Sequence, residues 1–186
     1  MDTMFSAICG ITESELTTTL WEDIERLADI HSITPEEMHH QLKQRYDGYH
    51  FTKNSEEIYN PFSMLKAFQQ RELGNYWFES GTPTFLIRQL QYFNTDITSI
   101  ERLEAYSSDF DQPTENMRDA LPLLFQSGYL TIKDYEPESQ IYTLAIPNQE
   151  VRLAAKAMQS LIRQKDATSS RSVSSSMPKH EYPKSG

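Results

Sequence analysis

The chain holds one cysteine, Cys9, among its 186 residues. A lone thiol excludes an internal disulfide framework and any zinc site built from several cysteines. Cys9 has no recognisable base partner and reads as a packing residue. No glycine is followed by lysine, so the phosphate-cradling pattern G-x-x-x-x-G-K-[ST] is absent, as is G-x-G-x-x-G. No apolar run reaches the roughly 18 residues that mark a membrane span. The opening MDTMFSAICG has neither a basic stretch nor a long apolar one, so it does not read as a signal peptide, and a cytoplasmic location is expected.

Basic residues are scarce as well. The formal charge is -10, and residues 1–114 carry 8 Lys+Arg against 19 Asp+Glu. Such a surface repels phosphate backbones, which disfavours nucleic-acid binding by that part. The histidines are His31, His39, His40, His50 and His180, none within H-E-x-x-H. His39 and His40 leave a helix in different directions, so one face cannot use both as ligands. The carboxylates at 22, 23, 25, 36 and 37 have the spacing of caps and solvated helix faces. No catalytic, cofactor-binding or metal-ligating residue is assigned.

Aromatic rings are plentiful: 10 Tyr, 9 Phe and 2 Trp. They crowd around RYDGYHF, residues 45–51, where Asp47-Gly48 is a turn signal because Gly accepts positive φ and Asp bonds back to its own backbone. Thr12 with Glu15 forms a capping box, and Leu16, Leu20, Ile24 and Leu27 predict a helix over about 13–30. Thr34-Pro35 with Glu37 repeats the device, and Met38, Leu42 and Tyr46 share a face ending at the Asp47-Gly48 turn. Asn60-Pro61 and Thr82-Pro83 start further helices, the first lined by Phe62, Leu65 and Phe68, the second by Phe85, Leu86, Gln89, Leu90 and Phe93. Tyr76-Trp77-Phe78 reads as a short buried strand or a turn packed on the core. Ile97, Ile100 and Leu103 fit a helix, whereas 106–113 is loop-like. Met117, Leu121, Leu124 and Phe125 predict a helix stopping at Gly128, a C′ residue. Strands begin at Tyr129 and Ile141, around a polar loop over 134–140. Asn148 can cap a last helix carrying Val151, Ala154, Ala155, Met158 and Leu161.

The fold class expected is mainly α with a small β-hairpin: a helical bundle over 1–110, then a winged-helix-like module over 111–165. Residues 166–186 are Ser-, Lys- and Pro-rich, with too little apolar surface to offset ordering, and read as a disordered tail.

The series CGITESEL, RYDGYHF, IYNPFSMLKAF, YWFESGTPTFLIRQL, LLFQSGYLTIKDY and YTLAIPNQEVR resembles, from about Ile8 to Arg152, a bacterial family of AAA-ATPase-like proteins usually fused to a PD-(D/E)XK nuclease domain. The positions carrying the resemblance are Tyr46, Asp47, Gly48, Tyr49, Asn60, Pro61, Trp77, Ser80, Gly81, Gln126, Ser127, Gly128, Tyr129, Pro147, Asn148 and Glu150. The resemblance implies the helical lid and winged-helix-like part of the ATPase region. The family's P-loop core, its ATP and Mg, and its nuclease carboxylates have no counterparts here. It implies a chain without enzymatic activity as it stands, a truncated product, a remnant or a separately encoded piece that acts by protein contact with an ATPase core or with itself. A small winged-helix DNA-binding regulator is the rival expectation; against it, the helix at 115–127 offers only Arg118, and the wing sets Lys133 beside Asp134, Glu136 and Glu138. For the YDGY corner two readings stand: buried rings under a turn, or a contact with the missing core or its nucleotide.

Overall fold

The computed structural model describes residues 10–50, 52, 56–79, 84–113 and 117–174, without the side chains of 78, 79 and 166–174. Expectations resting on Cys9, Phe51, Ser80, Gly81, the Thr82-Pro83 cap and the end of the chain past 174 lie outside the described residues. The fold is mainly α with small β elements. In chain order these are β1 (Ile11–Thr12), α1 (Glu13–Thr18), α2 (Trp21–His31), α3 (Pro35–Tyr46), β2 (Ile58–Tyr59), α4 (Pro61–Gln70), α5 (Tyr76–Glu79) and α6 (Thr84–Tyr92). A 3-10 turn, Ile97–Ser99, leads to β3 (Leu103–Ala105), α7 (Ser107–Phe110), α8 (Leu121–Gln126), β4 (Thr131–Glu136), β5 (Ile141–Ala145) and α9 (Gln149–Ser174).

Local chemistry sets most boundaries. Thr12 accepts the Glu15 amide while the Glu15 carboxylate accepts the Thr12 amide, closing the capping box that starts α1. Thr34 accepts the Glu37 amide at α3, and Asn60 accepts those of Phe62 and Ser63 at α4. The single helix expected over 13–30 is instead two. Thr17 and Thr18 turn their hydroxyls back onto the Glu13 and Ser14 carbonyls, and the helix stops before Leu20. β-branched, back-bonding threonines favour such a stop.

Other expectations are corrected by packing. The aromatic triplet begins a single helical turn, α5, with Tyr76 buried beneath it. The 3-10 turn replaces the helix that Ile97, Ile100 and Leu103 suggested, and Leu103 opens β3. The helix expected over 115–127 is not present at 117–120 and α8 begins at Leu121, because Pro122 has no N–H to bond the Arg118 carbonyl four residues back and its ring crowds that carbonyl, so it is tolerated only in a first turn. The first hairpin strand starts at Thr131 rather than Tyr129 and runs on to Glu136, tightening the expected loop to 137–140. On α4 the buried face is Ser63, Met64 and Ala67, so Phe62 and Leu65 face solvent. Helix α9 passes the predicted end at 165 and continues to Ser174, since adding a residue to a formed helix costs far less than nucleating one.

β1 pairs antiparallel with β2, and a second sheet has the order β3-β5-β4. β3 lies against β5, so the boundary expected at 110/111 falls inside this sheet. One core gathers Leu16, Ile24, Leu27, Met38, Leu42, Tyr46, Tyr59 and Met64 from the first helices. A second gathers Tyr49, Ile58, Leu86, Leu90, Leu124, Tyr129, Val151 and Met158, and a small third one lies under the second sheet. Each fully buried Leu, Ile or Met is worth about 1.5–3 kcal/mol over leaving it exposed.

Candidate functional site

Residues 45–50 pass from one core into the other. Tyr46 is the last residue of α3 and is fully buried in the first core, with its hydroxyl donating to the Gly74 carbonyl at 2.9 Å. Three residues on, Tyr49 is buried in the second core. Gly48 makes the change of direction at φ +94°, in the region that side chains disfavour. A Cβ there would stand 2.5 Å from the Pro147 carbonyl oxygen and 2.8 Å from Lys133 Nζ. β2 crosses in the same manner. Ile58 exchanges both backbone hydrogen bonds with Tyr49 and belongs to the second core, while Tyr59 belongs to the first.

The start of α9 closes the joint. Asn148 accepts the Val151 amide as cap and donates its side-chain N–H to the Asp47 carbonyl at 2.8 Å, both groups being buried. Glu150, 1 % exposed, accepts the Trp77 backbone N–H at 2.9 Å. The Trp77 ring lies between Tyr49 and Tyr129, with centroids at 5.9 and 6.2 Å. Gly128, at φ +75°, follows α8 as its C′ residue; a Cβ there would meet the Trp77 ring at 2.8 Å. Among the described residues, every position carrying the family resemblance thus lies at this joint: 46–49, 60–61, 77, 126–129, 147, 148 and 150. Between Tyr49, Asn60, Pro61, Trp77 and the turn at 126–128 a cleft of about 360 Å³ opens to the surface.

Charge is managed around the joint by pairing and burial. Glu13 binds Lys43 Nζ at 3.2 Å, His39 Nε2 at 2.8 Å and the Tyr59 hydroxyl at 2.5 Å. Burial alone would raise its pKa, but the Tyr59 and Lys43 hydrogen bonds with the His39 charge hold it below the ordinary value. Lys133 donates to the Gly48 carbonyl at 2.7 Å and to Glu57 at 2.8 Å. That ammonium outweighs the burial of Glu57 and keeps its carboxyl low. Asp47 and Glu150 are pushed up, in both cases chiefly by burial. Burial also raises the Tyr46, Tyr49 and Tyr59 phenols well above 10, so they stay protonated near neutral pH. These groups hold backbone and rings in place. Among the described residues no cluster of three or more His, Cys, Asp or Glu is disposed to hold a metal ion.

Thr131 and Lys133 were not singled out from the sequence as part of this corner. The Thr131 hydroxyl accepts from the His50 amide and donates to the His50 carbonyl, at 2.7 and 2.8 Å, and Lys133 reaches Gly48. Strand alternation is the signal that could have found them. Ile132 enters the core under the second sheet, and although the pairing with β5 shifts between Ile132 and Asp134, Thr131 and Lys133 both reach the corner.

Among the described residues no helix is long and apolar enough to cross a membrane. No family model and no solved structure matches the chain. The chain is 34 % identical over 160 residues to the uncharacterized protein in the vnfD 5′ region of Azotobacter chroococcum mcd 1. That similarity covers 82 % of this chain and 28 % of the relative, so the chain spans less than a third of the length of the curated protein it matches.

Proposed function

We propose that this chain is a non-catalytic section of an AAA-ATPase-like protein, a helical lid joined to a winged-helix-like module, and that it works by protein contact. The convergence at the joint carries this reading. Motifs scattered from residue 46 to residue 150 resemble that family's in order, and their described positions meet around one corner. The order α6-β3-α7-α8-β4-β5 with the sheet order β3-β5-β4 supports the winged-helix-like part. The length of the Azotobacter relative is in keeping with a section of a larger protein. ATP and Mg would then belong to an ATPase core, with no residue of this chain assigned to them.

Several large apolar side chains support contact as the task. Leu65 is 54 % exposed and Phe85 52 %, and Phe62 and Tyr92 also face solvent. An ATPase core or a second copy would cover them. The DNA-regulator reading has the strand and helix order in its favour and charge against it. α8 is LPLLFQ, without a cation; Lys133 is engaged by Gly48 and Glu57; Asp134, Glu136 and Glu138 line the hairpin. Phosphate contacts need cations there. Light scattering of the purified chain over rising concentration is expected to show dimers or larger species. A monodisperse monomer at high concentration would contradict self-contact. Duplex binding that survives about 150 mM salt would overturn the contact reading in favour of the regulator.

A further inference from the structure

Two exposed helix faces carry opposite charge at the same spacing. Helix α9 bears 5 Lys+Arg against 2 Asp+Glu, one of the two being the buried Glu150, whereas residues 1–114 carry 8 Lys+Arg against 19 Asp+Glu. The solvent side of α9 has two neighbouring ridges. Arg152 and Lys156, both exposed and four residues apart, form a basic one; Leu153, Ala157 and Leu161 form an apolar one. Leu153 is 43 % exposed although the other side of the same helix is buried through Val151, Ala155 and Met158. The solvent side of α2 repeats the arrangement with the sign reversed. Glu25 and Asp29 are exposed and four residues apart, and Ile30 beside them is 50 % exposed. The Trp21 indole N–H donates to Glu25 at 3.0 Å and steadies it. Among the described residues no ion pair engages Arg152, Lys156, Glu25 or Asp29.

The spacings match. Residues i and i+4 stand on one helix face about 6 Å apart along the axis, so two cations on one helix can meet two carboxylates on another. In each helix the apolar residue directly follows a charged one, about 100° further round in the same sense. Two facing helices bring such ridges together only when they run antiparallel; in a parallel pair the apolar ridge of each would lie on the charged ridge of the other. Antiparallel, Arg152 meets Asp29, Lys156 meets Glu25, and Leu153 meets Ile30. Exposed ion pairs are individually weak, so the charges set partner and register while the apolar pair leaves water.

We propose that copies of this chain associate head to tail, with α9 of one lying antiparallel on α2 of the next. The inference rests on the protein-contact reading and names the two surfaces and the partner, a second copy. The contact joins different patches, so it can repeat from copy to copy.

Sedimentation velocity of the full chain at about 50 and about 300 mM NaCl tests this. Association is expected to weaken with salt, because screening shortens the reach of exposed charges. Arg152→Gln with Lys156→Gln, and separately Glu25→Gln with Asp29→Asn, are each expected to weaken it about tenfold or more. All four positions are exposed, and an unchanged circular dichroism spectrum and Tm check the fold. Mixed in equal amounts, the two variants are expected to recover association, since the intact α9 of one meets the intact α2 of the other. A mixture no better than either variant alone would overturn the inference. So would loss in the α9 variant of duplex DNA binding rather than of self-association. Association that both variants retain removes the α9–α2 assignment and leaves the protein-contact reading. A chain that stays monomeric at every concentration removes this inference and self-contact together, leaving contact with an ATPase core.

Discussion

Gly48→Ala is the sharpest perturbation of the joint. The backbone there has φ +94°, and holding an L-residue in a disfavoured conformation costs about 1–3 kcal/mol. The new Cβ would lie 2.5 Å from the Pro147 carbonyl oxygen, a backbone atom that cannot rotate away. Moving it drags Asn148, whose side chain bonds the Asp47 carbonyl and caps α9. Lys133 Nζ, 2.8 Å from the same Cβ, would also have to withdraw from the Gly48 carbonyl, and a hydrogen bond with a charged partner is worth about 1.5–3 kcal/mol. Together the loss is about 3–5 kcal/mol, a large part of the roughly 5–15 kcal/mol that holds a domain folded. For a chain of this size that lowers Tm by roughly 6–20 °C. Urea unfolding followed by tryptophan fluorescence reads it, since Trp77 stacks near Tyr49 at the joint. A loss below about 1 kcal/mol would show that the corner is not held as described, because strain at φ alone should exceed it.

Further expectations concern the same region. Asn148→Ala removes a helix cap and the bond to Asp47, and is expected to cost about 2–3 kcal/mol in urea unfolding. Tyr59→Phe deletes the hydroxyl that binds Glu13, with an expected loss of about 1.5–3 kcal/mol at pH 7 in the same assay. The pH dependence has a definite sign. Glu150 has its folded pKa raised above 4.5, so the folded state takes up the proton first, and stability grows as pH falls through that raised value toward 4.5. Glu13 and Glu57 have folded values below 4.5, so the stability they contribute is present above 4.5 and is lost as pH falls through those lower values. Tm should therefore rise as pH falls from 8 toward 4.5 and then fall as Glu13 and Glu57 take up protons, with the raised Asp47 offsetting part of that fall. Glu150→Gln should reduce the rise, leaving the part due to Asp47, and leave the fall; an unchanged rise would refute the role given to Glu150.

Much of this fold was legible because it is written locally. Thr12, Thr34, Asn60 and Asn148 each carry the side-chain oxygen that caps the helix they precede, and Gly128 ends α8 as expected. What escaped depends on partners far along the chain. β3 is three residues long and exists because β5 lies beside it, some forty residues on. The outward face of α4 is decided by what Met64 and Ala67 meet, and Phe62 and Leu65 look like core residues until that is known. Pro122 was a local signal with a clear meaning, since it falls in the first turn of α8. At the joint, the turn at Asp47-Gly48 was readable. That its two tyrosines enter different cores was not, because that follows from the Tyr49–Ile58 bridge and the arrival of α9.

On the proposed reading, the chain is a lid-like section whose cores are coupled through one corner, with nucleotide held by a separate core. Scanning calorimetry of the purified chain, with and without Mg-ATP, tests it most directly. One cooperative transition at the same temperature in both samples is the predicted result. A transition split in two would contradict the coupling, and one raised by Mg-ATP would contradict the assignment of nucleotide to a separate core, because only a ligand that prefers the folded state raises Tm.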